Sequence, residues 1–219
     1  MDIAIIGPGR IGGNLARRLA DAGHKVTLSF SRDEARLRAL ADELGGSAAQ
    51  PSEAVAGAEL VVISVPWSAI PQALDQAGSL AGKVVIDTTN QFGFGPMPAE
   101  GQTAASFNSA RMPGARYTKS FNTLTSAFQV EVADRPPETR VVQWICGDDA
   151  DAKQVVSGLI EQAGYVPVDL GGTKDCTVME APRRPGAVYG EEWRLPEALE
   201  VATAVSEGRP IPDTPQYAD

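Results

Sequence analysis

The stretch that most constrains this chain is its opening, Met-Asp-Ile-Ala-Ile-Ile-Gly-Pro-Gly-Arg-Ile-Gly-Gly. Asp2 to Ile6 is a near-continuous branched apolar run, the pattern of a strand buried on both faces. Gly7, Gly9 and Gly12 follow it in GxGxxG spacing. A helix begins at once: Ile11, Leu15 and Leu19, with Ala16 and Ala20 beside them, recur at helical spacing, and Gly23 is placed to end that helix in a left-handed turn. Each glycine has its own reason. Gly7 allows a tight turn, Gly9 lets backbone amides approach a pyrophosphate, and Gly12 lets the helix pack closely on the strand. The helix N-terminus supplies the positive pole for phosphates. Strand, glycine turn and helix in this order predict a dinucleotide-binding unit.

The second strand, Lys25 to Phe30, ends in Ser29-Phe30-Ser31-Arg32. An NAD-preferring site places Asp or Glu about 20 residues beyond the glycine turn to accept the ribose hydroxyls. Here no carboxylate stands at the strand end, and Ser31 and Arg32 offer donors, so the 2′-phosphate of NADP is favoured. Arg36, one helical turn on, is either a second phosphate contact or part of a solvated helix face. Asp33 and Glu34 read as first-turn helix acids.

The rest of the chain alternates. Helices are expected over Asp33 to Leu44, Ser52 to Gly57, Ser68 to about Ala77, Gln102 to Arg111, Ala150 to Ala163 and about Glu197 to Glu207. Strands are expected over Glu59 to Val65, Lys83 to Ile86, Ala115 to Phe121, Arg140 to Cys146 and Tyr165 to Leu170. This is the signature of an α/β fold, a doubly wound, mostly parallel sheet of the Rossmann NAD(P)-binding kind with a small C-terminal extension. Pro66 stops the third strand at its carboxyl end, where ligands of open parallel sheets bind. Trp67 beside it either shields a nicotinamide ring or simply packs. Asp87-Thr88-Thr89-Asn90-Gln91 forms a polar cluster at the next strand end, suited to amide and hydroxyl contacts. Phe92 to Gly101, rich in Gly and Pro, is expected to be a mobile loop at the rim of the site.

Composition narrows the function. With 219 residues the chain holds one well-buried domain and at most a small second lobe. A formal charge of −9 without a basic cluster argues against nucleic acid and against anionic membrane surfaces. No apolar run approaches the roughly 20 residues of a spanning helix, and no signal-peptide pattern opens the chain, so a soluble, cytoplasmic protein is expected. His24 is the single histidine and sits in a turn away from the glycine loop, which argues against a histidine metal site and a Ser-His-Asp triad. Cys146 and Cys176 belong to no CxxC pair and read as buried free thiols.

Several stretches together resemble the NADPH-dependent reductases of the deazaflavin coenzyme F420, a domain that recurs in related ferric reductases. They are residues 5–13, Ser31-Arg32, Val65-Pro66-Trp67, Ile86-Asp87-Thr88-Thr89-Asn90, Lys119-Ser120-Phe121-Asn122-Thr123-Leu124 and Gly147-Asp148-Asp149. The Lys-x-Phe-Asn-Thr element is the discriminating one. The resemblance covers residues 1 to about 180 and implies an NADP-binding domain over 1–180, followed by an extension over 181–219 that shapes the acceptor site or a dimer contact. It also implies a homodimer in which NADP(H) exchanges a hydride with F420 as co-substrate. By this resemblance Gly7, Pro8, Gly9, Arg10, Ile11 and Gly12 hold the pyrophosphate side, and Ser31, Arg32 and Arg36 the 2′-phosphate. Val65, Pro66, Trp67, Asn90 and Asn122 line the nicotinamide end. Asn90 and Asn122 serve equally as turn-stabilising residues in a purely structural reading.

Hydride transfer between stacked rings needs positioning but no strong side-chain base, so no catalytic residue and no metal are expected. A carbonyl or imine reductase would instead want a proton donor in the cleft, for which Tyr117 and Lys119 are the candidates, although Lys119 lies inside the predicted strand and reads equally as structural. The alternatives are an NADPH-dependent reductase of a small metabolite or flavin on the same scaffold, and a non-catalytic NADP-binding protein. Arg183, Arg184 and Arg194 either meet an anionic coenzyme tail or are ordinary surface.

Overall fold

The computed structural model describes residues 1–217. The last two residues of the expected C-terminal extension lie outside them. In chain order the elements are β1 (Asp2–Ile6), α1 (Arg10–Asp21), β2 (Lys25–Ser29), α2 (Glu34–Glu43), β3 (Ser47–Ala48), α3 (Pro51–Gly57), β4 (Leu60–Ile63), α4 (Ile70–Ala77), β5 (Val84–Asp87), α5 (Ala104–Ala110), β6 (Arg116–Lys119), α6 (Ser126–Val132), β7 (Val142–Gly147), α7 (Ala150–Gln162), β8 (Val166–Asp169) and α8 (Glu197–Ser206).

The strands form a sheet in the order β3-β2-β1-β4-β5-β6-β7-β8. The chain winds outward from β1 in one direction and then returns to continue from β4 in the other. That reversal leaves a crevice at the carboxyl ends of β1 and β4, where open α/β sheets take their ligands. The first six strands in space are parallel, whereas β7 is antiparallel to β6 with Thr118 opposite Gly147 and Lys119 opposite Cys146. Because only this end of β7 overlaps β6, its N-terminal half projects past the carboxyl end of β6. The C-terminal chain packs on that projection: Val142 N–H donates to the Trp193 carbonyl at 2.8 Å, and Trp193 meets Trp144 edge-on at 6.2 Å.

The pleat explains the two-layer core. In β1, Ile3 and Ile5 face one layer with Leu15, Ala16 and Leu19 of α1, Leu37 of α2 and Val156 of α7. Ala4 and Ile6 face the other, with Val55 of α3, Ile70 of α4, Ala104 of α5 and Val201 of α8. A strand buried on both faces has no polar alternation, which is why β1 and β4 read as unbroken apolar runs.

Three helical segments were not expected: α6, which starts on a Thr125 cap that accepts from Phe128 N–H, and 3-10 segments over Pro137–Thr139 and Thr173–Met179. The edge strand β3 is likewise new. It is two exposed residues long and carries no period that a sequence could show.

On the α6 side of the core, Tyr165 is buried, its hydroxyl donates to the Gln129 carbonyl at 2.7 Å, and burial pushes its phenol up to about 12. The folded state thus holds this proton more tightly than the unfolded chain does, so Tyr165 contributes stability that is intact below pH ~10 and lost as the pH rises toward 12. Tyr165→Phe is expected to cost about 1 kcal/mol at neutral pH through the lost hydrogen bond. It should also flatten the decline in urea-unfolding free energy between pH 9 and 11.5; an unchanged alkaline slope would contradict this role.

Candidate cofactor-binding site

The glycine turn separates its structural and ligand-facing members. Gly7 sits at φ +90°, and a Cβ there would lie 2.5 Å from Val65 Cγ1 and 2.7 Å from the Ser64 carbonyl oxygen. A Cβ on Gly12 would lie 2.5 Å from the Gly7 carbonyl oxygen and 3.0 Å from Ser64 Cβ. Both glycines therefore let backbone meet backbone. At Gly9 nothing lies within 4 Å of the Cβ position, so that space is open to a ligand.

Gly9 is also the N-cap of α1, and it has no side chain to satisfy the first amides of the helix. Uncapped N–H groups of a twelve-residue helix, opening on an empty cradle, form a built anion site. Gly7 N–H donates to the Ser29 carbonyl at 2.9 Å and ties the turn to the end of β2. Pro8 and Ile11 are partly buried beside the cradle, and Arg10 is exposed at its rim.

The end of β2 is bent by Phe30, which takes the left-handed conformation at φ 61°. This is a costly position for a bulky residue, and such strain marks functional turns. It throws Ser31 and Arg32 out from the sheet. Ser31 Oγ donates to the Asp33 carbonyl at 3.0 Å and accepts from Asp33 N–H at 3.1 Å. Asp33 caps α2 by accepting from Arg36 N–H, and Glu34 pairs with Arg38, so both acids serve the helix as the sequence suggested. Arg32 and Arg36 are exposed, and among the described residues neither guanidinium is engaged in an ion pair. Two unpaired cations therefore stand beyond β2 on the cradle side.

Of the residues expected to line a nicotinamide, Pro66 is exposed and Val65 is buried against Gly7. Trp67 turns inward instead: it is 2% exposed, Nε1 donates to the Pro96 carbonyl at 2.8 Å, and its ring stacks on Phe107 at 5.9 Å. Of its two readings the packing one describes the observed contacts, and the ring pins the loop that follows β5.

Asn90 and Asn122 are brought together. Asn90 Nδ2 donates to the Asn122 carbonyl at 2.8 Å, while Asn122 Nδ2 donates to Asn90 Oδ1 at 3.1 Å and to the Met179 carbonyl at 2.7 Å. They brace the ends of β5 and β6 against the C-terminal chain. The residue before Asn122, Phe121, is the other non-glycine with positive φ, at 57°. Both strained strand ends thus precede residues singled out for cofactor contact.

The expected polar cluster after β5 divides. Thr88 Oγ1 donates to Ser64 Oγ at 3.0 Å, joining the ends of β4 and β5 near Gly12. Sequence reasoning did not single out Ser64, which sits within an apolar run without a signal of its own. Asp87 and Thr89 face inward. Asp87 accepts from Tyr117 Oη at 2.6 Å, Asn108 Nδ2 at 2.8 Å and Thr89 N–H at 2.8 Å, and Lys119 Nζ donates to the Thr89 carbonyl at 2.5 Å while standing 3.7 Å from Asp87.

Tyr117 and Lys119, the two candidate proton donors, are therefore corrected. Both are buried and committed to Asp87 and Thr89, and burial with the neighbouring Asp87 charge holds the Tyr117 phenol well above its ordinary value. Neither is presented to the crevice.

The C-terminal arginines are committed locally too. Arg183 forms a two-pronged pair with Glu191 at 2.6 and 3.0 Å, Arg184 donates to the carbonyls of Glu180, Pro182 and Thr177, and Arg194 pairs with Glu192 at 2.6 Å under the Tyr217 ring. Cys146 and Cys176 are free and buried, and His24 lies beside Gln162 at the amino end of β2. Among the described residues no acidic, His or Cys cluster could hold a metal ion, and no helix is long and apolar enough to cross a membrane.

The parallel sheet with its reversal, and the glycine turn opening an uncapped helix, are those of a Rossmann-type NADP-binding domain, and what the chain resembles are NADP-dependent oxidoreductases. Residues 2–91 match the family model described as NADP oxidoreductase, coenzyme F420-dependent, which bears out the resemblance read from the glycine turn and the β2 and β4 ends. The chain is 28% identical to a candidate F420-dependent NADP reductase from Arthrobacter sp., covering 80% of this chain and 87% of that one at a TM-score of 0.68. A hypothetical protein from Sinorhizobium meliloti is 29% identical, with coverage of 89% and 96% and a TM-score of 0.75. The metalloreductase STEAP3 of Rattus norvegicus is 29% identical over 90% of this chain, and the match spans 38% of that longer protein.

Proposed function

We propose that the chain transfers a hydride between NADP(H) and a deazaflavin coenzyme of the F420 type. The observation that carries this reading is the open cradle at Gly9, facing uncapped α1 amides, with the unpaired Arg32 and Arg36 beyond β2. Gly7, Gly9, Arg10, Ile11 and Gly12 hold the pyrophosphate side, and Ser31, Arg32 and Arg36 hold the 2′-phosphate. Pro66, Asn90 and Asn122 shape the nicotinamide end. When bound, NADPH supplies the hydride.

The residues of the chain do the rest by position. They fix the dinucleotide along the crevice, keep the strand ends rigid through the Asn90–Asn122 brace, and exclude water from the reacting faces. The absence of a free proton donor among Tyr117 and Lys119 suits a ring-to-ring hydride transfer and disfavours carbonyl or imine reduction, which requires one. A homodimer is the assembly that the family resemblance implies.

The likeness to a metalloreductase favours a second acceptor, a metal ion. A hydride carries two electrons and a metal ion commonly takes one, so that reading also calls for a ring carrier between them, a flavin or deazaflavin.

Anaerobic mixing with NADPH and oxidised F420, with NADH and FMN in parallel, tests the reading: F420 is expected to bleach with NADPH and not with NADH. Persistence of oxidised F420 beside bound NADPH would contradict it. Arg32→Ala separates the cofactors. Losing a charge-assisted phosphate contact of roughly 1.5 to 3 kcal/mol should weaken NADPH binding about ten- to a hundredfold and leave NADH binding unchanged. Equal losses for both would remove Arg32 from the phosphate site.

A further inference from the structure

The apolar surface of the chain is concentrated beside the nicotinamide end. Among the described residues, three of the seven exposed large hydrophobics, Phe92, Phe94 and Met97, fall within six positions of the loop after β5. Exposed apolar groups clustered in this way mark binding surfaces more often than chance placement does. Phe92 is 55% exposed, yet its backbone is fixed, because Phe92 N–H donates to the Asn90 carbonyl at 2.8 Å.

Facing it across the strand ends is Tyr189, from the segment that follows Met179. Its ring lies 6.2 Å from that of Phe92 at an angle of 59°. The neighbours of Tyr189 are anchored: Val188 is buried and its N–H donates to the Val178 carbonyl at 2.8 Å, and Gly190 N–H donates to the Thr123 carbonyl at 2.8 Å, one residue past Asn122. The ring itself is only partly buried, and no hydrogen bond engages its hydroxyl among the described residues. Two aromatic side chains, one two residues after Asn90 and one tied through Gly190 to Thr123 beside Asn122, are thus left with ring surface in water.

Resting on the hydride-transfer reading above, we infer that Phe92 and Tyr189 are the acceptor-binding wall, on which a planar fused-ring acceptor stacks beside the nicotinamide. Stacking on an aromatic side chain rewards a flat π-face whatever its substituents, so a three-ring deazaflavin or flavin is wide enough to stack on one ring and meet the other, inclined at 59°, along its edge. A small imine, a ketone or a chelated metal ion has no comparable face. Specificity for a ring acceptor accordingly sits in one residue of the loop after β5 and one residue of the C-terminal chain, beyond the cofactor cradle itself.

Binding of oxidised F420 and of FMN to the NADP⁺-loaded protein, followed by fluorescence without turnover, tests this. Phe92→Ala and Tyr189→Ala are each expected to weaken ring binding about tenfold, with NADP⁺ affinity unchanged. Tyr189→Phe, which keeps the face and removes only the hydroxyl, is expected to bind like the parent. If the parent binds both ring probes and the two alanine variants bind them as tightly, the wall is overturned and the hydride reading stands. Failure of the parent to bind either ring probe would overturn the hydride reading and the wall with it.

Discussion

Gly9→Val is expected to abolish NADP(H) binding, by at least about a hundredfold, in a protein that remains folded by circular dichroism. No atom lies within 4 Å of the Gly9 Cβ position, so the added side chain meets no clash, although at φ −74° and ψ −146° a valine backbone is disfavoured and a modest loss of stability accompanies it. The same empty space is where a pyrophosphate must approach the α1 amides. Blocking it forfeits at least two charge-assisted hydrogen bonds of roughly 1.5 to 3 kcal/mol each. Gly12→Val should behave oppositely. Its Cβ would meet the Gly7 carbonyl oxygen at 2.5 Å, so that variant should lose stability before it loses affinity. Titration calorimetry and thermal melts on the pair check the division, and intact NADPH binding by the Gly9 variant would mean that the turn serves structure alone.

The second large effect concerns the core behind the crevice. Lys119→Met is expected to destabilise the fold by about 3 to 5 kcal/mol, because it leaves the fully buried Asp87 carboxylate without its cation. For a chain of this size that is a fall of roughly 10 °C in melting temperature. Neutralising the partner as well, in Lys119→Met with Asp87→Asn, should recover a large part of the loss, since Tyr117, Asn108 and Thr89 would then face a neutral amide. Scanning calorimetry of the two single variants and the double variant closes the cycle. Additive losses would show that Lys119 and Asp87 do not act as a pair.

What the sequence made legible follows from what its residues must do locally. The βα unit over residues 2 to 21 was readable because burial on both faces, a tight turn and close helix packing each demand specific residue types in a fixed order. That β2 ends without a carboxylate and passes straight to an outward-facing Arg32 was readable as well, because a strand end lacking an acid is itself a signal.

The inward direction of Asp87 and Lys119 was not readable. A lysine in a strand reads alike whether it points to water or to a buried acid 32 positions earlier in the chain, and only the pairing of β5 with β6 brings the two together. The reversal of β7 was hidden for the same reason, as direction depends on the connection through α6, a short helix that sequence reasoning did not find. Arg183, Arg184 and Arg194 looked available because their partners, Glu191, the carbonyls of the preceding turn and Glu192, are set by the path of the C-terminal chain. Tyr189 was overlooked because nothing in its neighbourhood repeats. Its meaning comes from Phe92, which lies far away in sequence and next to it in space.

The central claim is direct hydride passage from NADPH to a ring carbon with no side chain taking part. The most direct measurement is anaerobic reduction of F420 by NADPH carrying deuterium at the reacting nicotinamide carbon, with mass analysis of the reduced deazaflavin. Stoichiometric deuterium in the product, with a rate slowed by the label and insensitive to Tyr117→Phe beyond its effect on stability, is the predicted result. Product without deuterium, or NADPH consumed while F420 stays oxidised, would contradict the account.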